Sequence, residues 1–264
     1  MPELPEVETF VRGLQPAVGA SIATIEVLDP KIALDTDRIV GTRISSIRRR
    51  GKHIVFALDN AGHLVIHLRM SGRLRLERSA TEIPYTRMIL HLDTGEAVYF
   101  VNPRRLGTVI HCEDGFDATL GVEPLETAFT ARHLESLAAS SRAPIKHLLM
   151  DQRRIAGIGN IYAAEALWLA GIDPRRPANT LATAEATALH AGIVTVLRDA
   201  IDQLGTTLGN SVSDYRPSAE SGGTFGNCLC IYGREGETCP RCGGTIERTV
   251  QQGRSTCFCP SCQR

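Results

Sequence analysis

The chain has no apolar run that approaches the roughly 18 to 20 residues of a membrane-spanning helix. Its first six residues, MPELPE, have neither the basic stretch nor the apolar core of a secretory signal. Internal repeats and low-complexity tracts are also missing from its 264 residues, a length that suits one large domain or two of modest size. We therefore expect a soluble, cytoplasmic protein.

The chain also has no excess of either charge, because 29 basic residues balance 29 acidic ones. A net charge of zero by itself argues against a nucleic-acid partner. The basic residues are nevertheless clustered. Residues 38–52 contain six of them and no acidic residue, and further groups lie within residues 69–78 and at Arg104 and Arg105. Phosphate responds to the local potential, so this clustering predicts a basic face on a neutral protein. Scattered, solvated arginines are the alternative interpretation.

Residues 21–110 have the pattern of short β-strands. Apolar runs such as IVFAL (54–58) and HLVIHL (63–68) are separated by turn signals such as DNAG (59–62) and DTG (93–95). Regularly spaced short strands with tight turns predict a sandwich or a barrel. Before them, apolar residues at helical spacing predict a first helix that begins near Pro5 and stops before Pro16.

The pattern changes from strands to helices at residues 121–125. Helical periodicity follows over residues 131–139, 144–150, 160–170 and about 183–204. The last 35 or so residues are rich in cysteine and have few apolar residues that could form a core. This composition indicates a small domain that its cysteines stabilise. The sequence therefore predicts an α+β chain, in the order β domain, helical domain and small metal module.

Four of the eight cysteines form two C-x-x-C pairs with sixteen residues between the pairs. This spacing is typical of a structural zinc site, in which the intervening residues form a β-hairpin with Arg254 near its tip. Disulfides are the alternative, which the missing secretory signal disfavours. We interpret Cys228, Cys230 and Cys257 as buried or free thiols and Cys112 as a strand residue. The predicted zinc ligands are Cys239, Cys242, Cys259 and Cys262.

The start of the chain offers a nucleophile. The small Pro2 predicts removal of Met1, which leaves a secondary amine beside the carboxylate of Glu3. A terminal amine has a lower pKa than a lysine side chain, so a larger fraction of it is neutral and nucleophilic at pH 7. Many proteins begin with Met-Pro, so this pair is informative only together with other motifs.

Such motifs occur in order along the whole chain. They are PELPEVET (2–9), RRGK (49–52), HLRMSG (67–72), PRRLG (103–107), GIGNIY (157–162), YGR (232–234) and the zinc module. With this set, the sequence resembles the bacterial formamidopyrimidine-DNA glycosylases.

The resemblance implies a base-excision-repair DNA glycosylase with AP lyase activity, which removes oxidised purines from duplex DNA. It implies one structural zinc ion, no redox or nucleotide cofactor, and a monomer that acts on one lesion. The implied fold is an N-terminal β-sandwich domain (1–125), a helical helix–two-turn–helix domain (126–215), and a lesion-covering loop with a four-cysteine zinc finger (216–264).

The resemblance also implies catalytic roles for three residues. Pro2 would attack C1′ of the damaged nucleotide and form an imine with the opened sugar. Glu3 would protonate the ring oxygen and later move protons during elimination. Lys52 would stabilise developing negative charge, or it would serve as one more phosphate contact in a basic strand.

The resemblance implies that three further residues fill the gap left by a flipped nucleotide. Met70 and Arg104 match the family, and Arg104 would read the opposite base, typically cytosine. Leu106 replaces the usual phenylalanine; a leucine can wedge between bases but lacks a flat ring. Other departures are Tyr85 and Arg87, where relatives usually have histidines, and Asn102, where they usually have aspartate.

Contacts to the DNA backbone are implied in the second half of the chain. Asn160 follows a glycine pair at a helix N-terminus, where free N–H groups bind phosphate, and Lys146 would lie nearby. Arg254 matches the zinc-hairpin arginine that grips phosphates beside the flipped nucleotide.

Two alternative functions remain at this point. The endonuclease VIII branch performs the same chemistry on oxidised pyrimidines; Leu4 argues against it, whereas Leu106 is compatible with it. A damage-binding protein without catalysis is the other alternative. The joint presence of Pro2, Glu3 and Lys52 disfavours it, because a pure binder needs no free terminal amine.

Overall fold

The computed structural model describes residues 1–113, 115–208 and 222–264. The chain divides into two compact units, which are Met1–Ala118 with Gln203–Thr224, and Thr119–Asp202 with Phe225–Arg264. The first unit therefore includes a segment that follows the helical region in the chain.

These units bear on the predicted division of the chain. Among the described residues of the segment Gln203–Thr224, Thr206 donates its backbone N–H to Glu6 of the first helix, which lies in the same unit. The division into 1–125, 126–215 and 216–264 stays a prediction. Residues 216–221 of the predicted lesion-covering loop lie outside the described residues.

The first unit is a β-sandwich. Its strands are β1 (Ile22–Val27), β2 (Ile44–Arg50), β3 (His53–Leu58), β4 (His63–His67), β5 (Arg73–Arg78), β6 (Thr86–Leu92), β7 (Glu96–Val101) and β8 (Thr108–Cys112). They form two four-stranded antiparallel sheets, in the orders β1-β6-β7-β5 and β2-β3-β4-β8. The prediction of a β domain is confirmed, and Cys112 is a strand residue as predicted.

One hydrophobic core fills the space between the sheets. Leu90 and Phe100 of one sheet are buried in the same cluster as Phe56 and Ile66 of the other. Because side chains alternate between the two faces of a strand, every second residue can enter this core. Removal of this apolar surface from water is the main force that holds the two sheets together.

Helix α1 (Leu4–Gly13) covers part of this core. Val7, Phe10 and Val11 bury one face of the helix in it, as the helical spacing predicts. The helix packs against β2, β3 and β5, and it ends before Pro16 as predicted. The sandwich thereby fixes the position of the residues at the very start of the chain.

The second unit contains α2 (Ala131–Ala139), α3 (Ile145–Met150), α4 (Asn160–Ala170) and α5 (Thr183–Asp202). A Cβ added to Gly192 of α5 would lie 3.1 Å from the backbone oxygen of Ala166, so α4 and α5 pack closely. Helix α5 ends two residues before the predicted 204, because Leu204 and Gly205 have positive φ angles of 58° and 81°. None of the helices in the described ranges is long and apolar enough to cross a membrane.

Strands β9 (Glu247–Gln251) and β10 (Arg254–Phe258) form the predicted hairpin in this second unit. Its turn residues Gln252 and Gly253 have φ angles of 48° and 70°. Two consecutive positive φ angles are what a two-residue type I′ hairpin turn requires. The exposed Arg254 therefore lies directly after the tip, as predicted.

Candidate functional site

Pro2 and Glu3 are buried at the start of the chain, and Glu3 caps a helix. Met1 is 44% exposed, whereas Pro2 is buried and Glu3 is only 3% exposed. Glu3 is the N-cap of α1: its side chain accepts the N–H of Glu6, and Glu6 Oε2 accepts the N–H of Glu3 at 2.7 Å. This reciprocal arrangement is a capping box. It fixes the backbone of Glu3 at the start of a packed helix.

The carboxylate of Glu6 also holds a distant segment of the same unit. Glu6 is 2% exposed, and its Oε1 accepts the N–H of Thr206 at 2.8 Å. Gly223 passes so close to this segment that a Cβ there would lie 2.3 Å from the oxygen of Gly205. Sequence reasoning missed Glu6, although its spacing of three residues from Glu3 is the signature of a capping box.

Lys52 lies in the turn between β2 and β3. Gly51 has a φ angle of 56° there, and Lys52 itself is only 6% exposed. Arg49 at the end of β2 donates through Nε to Glu8 of α1 at 3.1 Å, which ties this part of β2 to the helix. Lys52 is thus a buried cation in the turn that follows this strand, and its role as a catalytic residue stays a prediction.

Two neutral histidines lie close to this turn. His53 and His67 pair across β3 and β4, with their ring centroids 4.7 Å apart. The pKa of His67 is lowered to about 3, mainly by burial and further by nearby positive charges that include Lys52. His67 is therefore neutral at pH 7, and its Nδ1 accepts the N–H of Arg69 at 3.0 Å. His67 belongs to the HLRMSG motif, but the sequence alone predicts no role for it.

Met70 and Arg104 belong to two surface loops that meet. Met70 follows β4 and is 48% exposed, and Arg104 Nη1 lies 3.8 Å from its sulfur. Ser71 Oγ accepts the backbone N–H of Arg104 at 3.3 Å, which joins the two loops. Leu106 is in the same loop as Arg104 and is 50% exposed. The structure thus brings together Met70 and Arg104, two residues that lie 34 positions apart in the sequence.

Lys146 and Asn160 converge on the hairpin of the second unit. Lys146 in α3 is 1% exposed, and its Nζ donates to Thr256 Oγ1 at 2.6 Å and to the oxygen of Ser255 at 3.3 Å. Asn160 Nδ2 donates to the same oxygen of Ser255 at 3.2 Å. The ammonium of Lys146 is thus bonded to the hairpin, and its contact to the DNA backbone stays a prediction. The hairpin supplies the acceptors that a buried ammonium needs.

Hydrogen bonds from the side chain of Gln152 stabilise the glycine turn before α4. Gly157 has a φ angle of 91°, and its N–H is donated to Gln152 Oε1 at 2.9 Å. Gln152 Nε2 in turn donates to the oxygen of Ile158 at 2.8 Å. The N–H of Gly157 therefore stabilises the turn itself, and α4 begins directly after this turn at Asn160.

Four thiols converge in the second unit. The Sγ atoms of Cys239, Cys242, Cys259 and Cys262 all lie within 4.8 Å of one another, with 3.8 Å between Cys239 and Cys262. Thiolates bound to a tetrahedral zinc ion at about 2.3 Å lie about 3.8 Å apart, so this set fits zinc. Trp168 donates its Nε1–H to Cys239 Sγ at 3.5 Å and orients that ligand. Within the described residues no disulfide bond joins any two cysteines, so the disulfide alternative is wrong.

Three family profiles match the chain in order. They are the formamidopyrimidine-DNA glycosylase N-terminal domain at residues 1–109, the formamidopyrimidine-DNA glycosylase H2TH domain at 120–211, and the zinc finger found in FPG and IleRS at 236–264. The chain belongs to the formamidopyrimidine-DNA glycosylase family. This confirms the resemblance, the α+β fold and, together with the four-thiol cluster, one structural zinc ion.

Similar glycosylases come from several bacteria. The formamidopyrimidine-DNA glycosylases of Paracoccus denitrificans and Thermus thermophilus are each 42% identical to this chain; both matches cover all of it and 100% and 98% of the relatives. The crystal structure of MutM (Fpg) from Thermus thermophilus matches with a TM-score of 0.90 at 40% identity, over 99% of this chain and 98% of that one. A Lactococcus lactis Fpg bound to DNA with an abasic site matches with 0.88 at 32% identity, over 99% of both chains.

A second buried carboxylate of this glycosylase was also missed by sequence reasoning. Glu165 in α4 is 3% exposed and accepts the N–H groups of Cys230, Ile231 and Tyr232 at 2.8 to 3.0 Å. Burial raises the pKa of its carboxyl. Glu165 thereby fixes the backbone at the start of the YGR motif. The resemblance to the family identified this motif but not the carboxylate that holds it.

Proposed function

We propose that this chain is a base-excision-repair DNA glycosylase with AP lyase activity, which removes 8-oxoguanine and formamidopyrimidines from duplex DNA. The observation that carries the proposal is the buried Glu3 directly after Pro2, in a chain that matches the glycosylase family from end to end. The similar Lactococcus lactis structures hold DNA with an abasic site or with Fapy-dG. We expect a cytoplasmic monomer, because one enzyme acts on one lesion.

Pro2 supplies the nucleophile once Met1 has been removed. Its ring nitrogen forms a bond to C1′ of the damaged nucleotide, the bond from C1′ to the base breaks, and the base leaves with the proton that the nitrogen loses. Glu3 then protonates the ring oxygen and the bond from C1′ to that oxygen opens. The product is a positively charged imine (an iminium) that links Pro2 to the opened sugar.

The imine then allows the strand to be cut on both sides of the lesion. Loss of a proton from C2′ expels the 3′ phosphate, and a second elimination expels the 5′ phosphate. Glu3 moves these protons, and water hydrolyses the imine to release Pro2. The ammonium of Lys52 stabilises negative charge that develops beside the nucleotide.

Access to a base within a duplex requires the nucleotide to be flipped out. Met70 and Arg104, which lie next to each other in the structure, would fill the gap together with Leu106. Arg104 would donate hydrogen bonds to the cytosine opposite the lesion. Leu106 would insert between bases without stacking on them. We expect the opposite-base preference to be the property most affected by the leucine.

Phosphate contacts would come from the second unit. Arg254 is exposed directly after the hairpin tip, and Asn160 is the first residue of α4. Lys146 would act on DNA through the hairpin that it supports, because its ammonium is bonded to Ser255 and Thr256.

The proposed chemistry is tested by trapping the imine with borohydride. The purified protein is incubated with a duplex that holds one 8-oxoguanine opposite cytosine, and we expect a covalent adduct and the intact mass of a chain that has lost Met1. Pro2→Gly is expected to reduce the adduct strongly, because the secondary amine is lost.

Two other outcomes of the trapping experiment would indicate a different substrate or a protein without catalysis. An adduct only with an oxidised-pyrimidine duplex keeps the chemistry and moves the substrate to the alternative that Leu106 leaves open. The absence of an adduct with any oxidised or abasic duplex contradicts the catalytic proposal and leaves a damage-binding protein.

The salt dependence of duplex binding distinguishes Arg254 from Lys146. Arg254→Ala is expected to reduce the slope of log affinity against log salt by about one, since one phosphate contact is lost. Lys146→Met is expected to weaken binding without a change in slope, since the buried ammonium acts through the hairpin. Fluorescence anisotropy between about 50 and 200 mM salt measures both slopes. A lower slope for Lys146→Met would show that this lysine contacts phosphate directly.

A further inference from the structure

A buried carboxylate lies beneath the loop of residues 102–107, here named the arginine loop. Asp29 follows β1 and is 3% exposed. Arg105 donates to it through Nε at 2.8 Å and through Nη2 at 2.5 Å, a bidentate pair. The hydrogen bonds from Arg105 hold the pKa of the Asp29 carboxyl well below its usual range. Asp29 is therefore ionised whenever the protein is folded near neutral pH.

The ion pair holds a backbone conformation that the arginine loop would not favour by itself. Arg105 has a φ angle of 53°, in the left-handed region that residues with a Cβ rarely adopt. Its side chain is itself 42% exposed, but its guanidinium reaches the buried carboxylate of Asp29. Arg104 instead meets Met70, and Leu106 is half exposed. Of these three consecutive exposed residues, Arg105 is the one that an ion pair anchors to the sandwich.

A second residue ties Asp29 to the same loop. The carbonyl of Arg87 accepts the N–H of Asp29 at 3.1 Å, and Arg87 Nε donates to the carbonyl of Asn102 at 3.1 Å. Asn102 is 2% exposed and its side chain is neutral, so it adds no charge to the loop. Asp29 therefore balances the positive charges of both Arg105 and Arg87, which each lower its pKa.

We propose that Asp29 is a positioning residue for opposite-base recognition, which acts through Arg105 to set the conformation in which the arginine loop presents Arg104 and Leu106 to DNA. This inference rests on the proposed function and adds a specificity determinant to it. Without the carboxylate, the guanidinium of Arg105 is released and the strained backbone relaxes. Arg104 then loses the placement that a directional hydrogen bond to one base requires.

The test compares excision of 8-oxoguanine opposite cytosine with excision opposite adenine under single-turnover conditions. In Asp29→Asn, the ratio of the two rates is expected to fall by about tenfold, the scale of one directional base contact. Borohydride trapping on a single-stranded abasic oligonucleotide, which has no opposite base, is expected to stay within about twofold of wild type. Asp29→Glu is expected to recover part of the ratio.

Two further variants keep the test decisive. Glu113→Gln removes the carboxylate of an exposed ion pair with Arg38 in the same unit and is expected to leave the ratio unchanged. If Asp29→Asn does not fold, Arg105→Lys replaces it, since lysine keeps the charge but loses the bidentate fork.

The outcomes separate this inference from the function on which it rests. An unchanged ratio in Asp29→Asn, or an equal loss with both opposite bases, overturns the positioning role and leaves a structural ion pair. A wild type that excises equally well opposite both bases overturns it too. A wild type that excises from neither duplex overturns the proposed function, and this inference with it.

Discussion

Replacement of Glu3 by glutamine is expected to lower excision of 8-oxoguanine by about one hundred- to ten-thousandfold, the usual contribution of a general acid. Glutamine cannot deliver a proton to the ring oxygen of the sugar. It can still accept the N–H of Glu6, so the start of α1 is expected to keep its conformation. The loss would therefore be chemical and not a consequence of unfolding.

Two assays and one control check this expectation. Single-turnover excision from an 8-oxoguanine duplex reports base loss, and incision of a duplex with a preformed abasic site reports the later steps, which need no base to leave. Glu8→Gln, the same substitution five residues further along the chain, removes a carboxylate that pairs with Arg12 and Arg49 and is expected to keep excision close to wild type. Excision by Glu3→Gln within about threefold of wild type would remove Glu3 from the mechanism.

Loss of zinc is expected to have the second large effect. Structural zinc sites contribute about 10 to 16 kcal/mol in isolated finger peptides, far more than the small core around this hairpin can supply. Cys242→Ser removes one of the four converging thiols. The hairpin would then unfold, Arg254 would lose its position, and duplex affinity is expected to fall by at least about tenfold.

The control for the zinc experiment is another exposed cysteine. Cys228 is exposed like Cys242 but lies outside the four-thiol cluster, so Cys228→Ser is expected to keep both zinc and affinity. Metal analysis of the purified proteins, followed by anisotropy titration with an abasic duplex, measures the two quantities. Cys242→Ser that holds one zinc per chain and binds like wild type would show that the hairpin is stable without a complete ligand set.

The regular elements could be predicted because their signals are local. Turn chemistry at residues 59–62 and 93–95 separates strands that then pair across those turns. Residues 131–139 and 160–170 were predicted as helices with the observed bounds of α2 and α4. Helix α2 is amphipathic, whereas α4 is buried on most of its faces and is bounded by Gly159 and Gly171. The end of α5 was predicted two residues too late, because the left-handed φ of Leu204 has no apolar signature in the sequence.

The candidate site was predictable in part. The cysteine spacing predicted the metal ligands because each C-x-x-C pair forms half of a tetrahedral site by itself. The contact of Lys146 to the DNA backbone stays a prediction, whereas the bonds of its ammonium to Ser255 and Thr256, more than 100 residues further along the chain, were not predicted. A basic residue in a short helix has the same local pattern whether solvent or a hairpin covers it.

The sequence by itself determined the family, the order of strands and helices, and the zinc ligands, because each is encoded in spacings of a few residues. Only the tertiary structure decided that Glu6 bonds to Thr206 and that Asp29 holds Arg105. These pairs join positions 200 and 76 residues apart. Such contacts depend on how the sheets and loops pack in three dimensions, and no pattern within a local window of the chain records them.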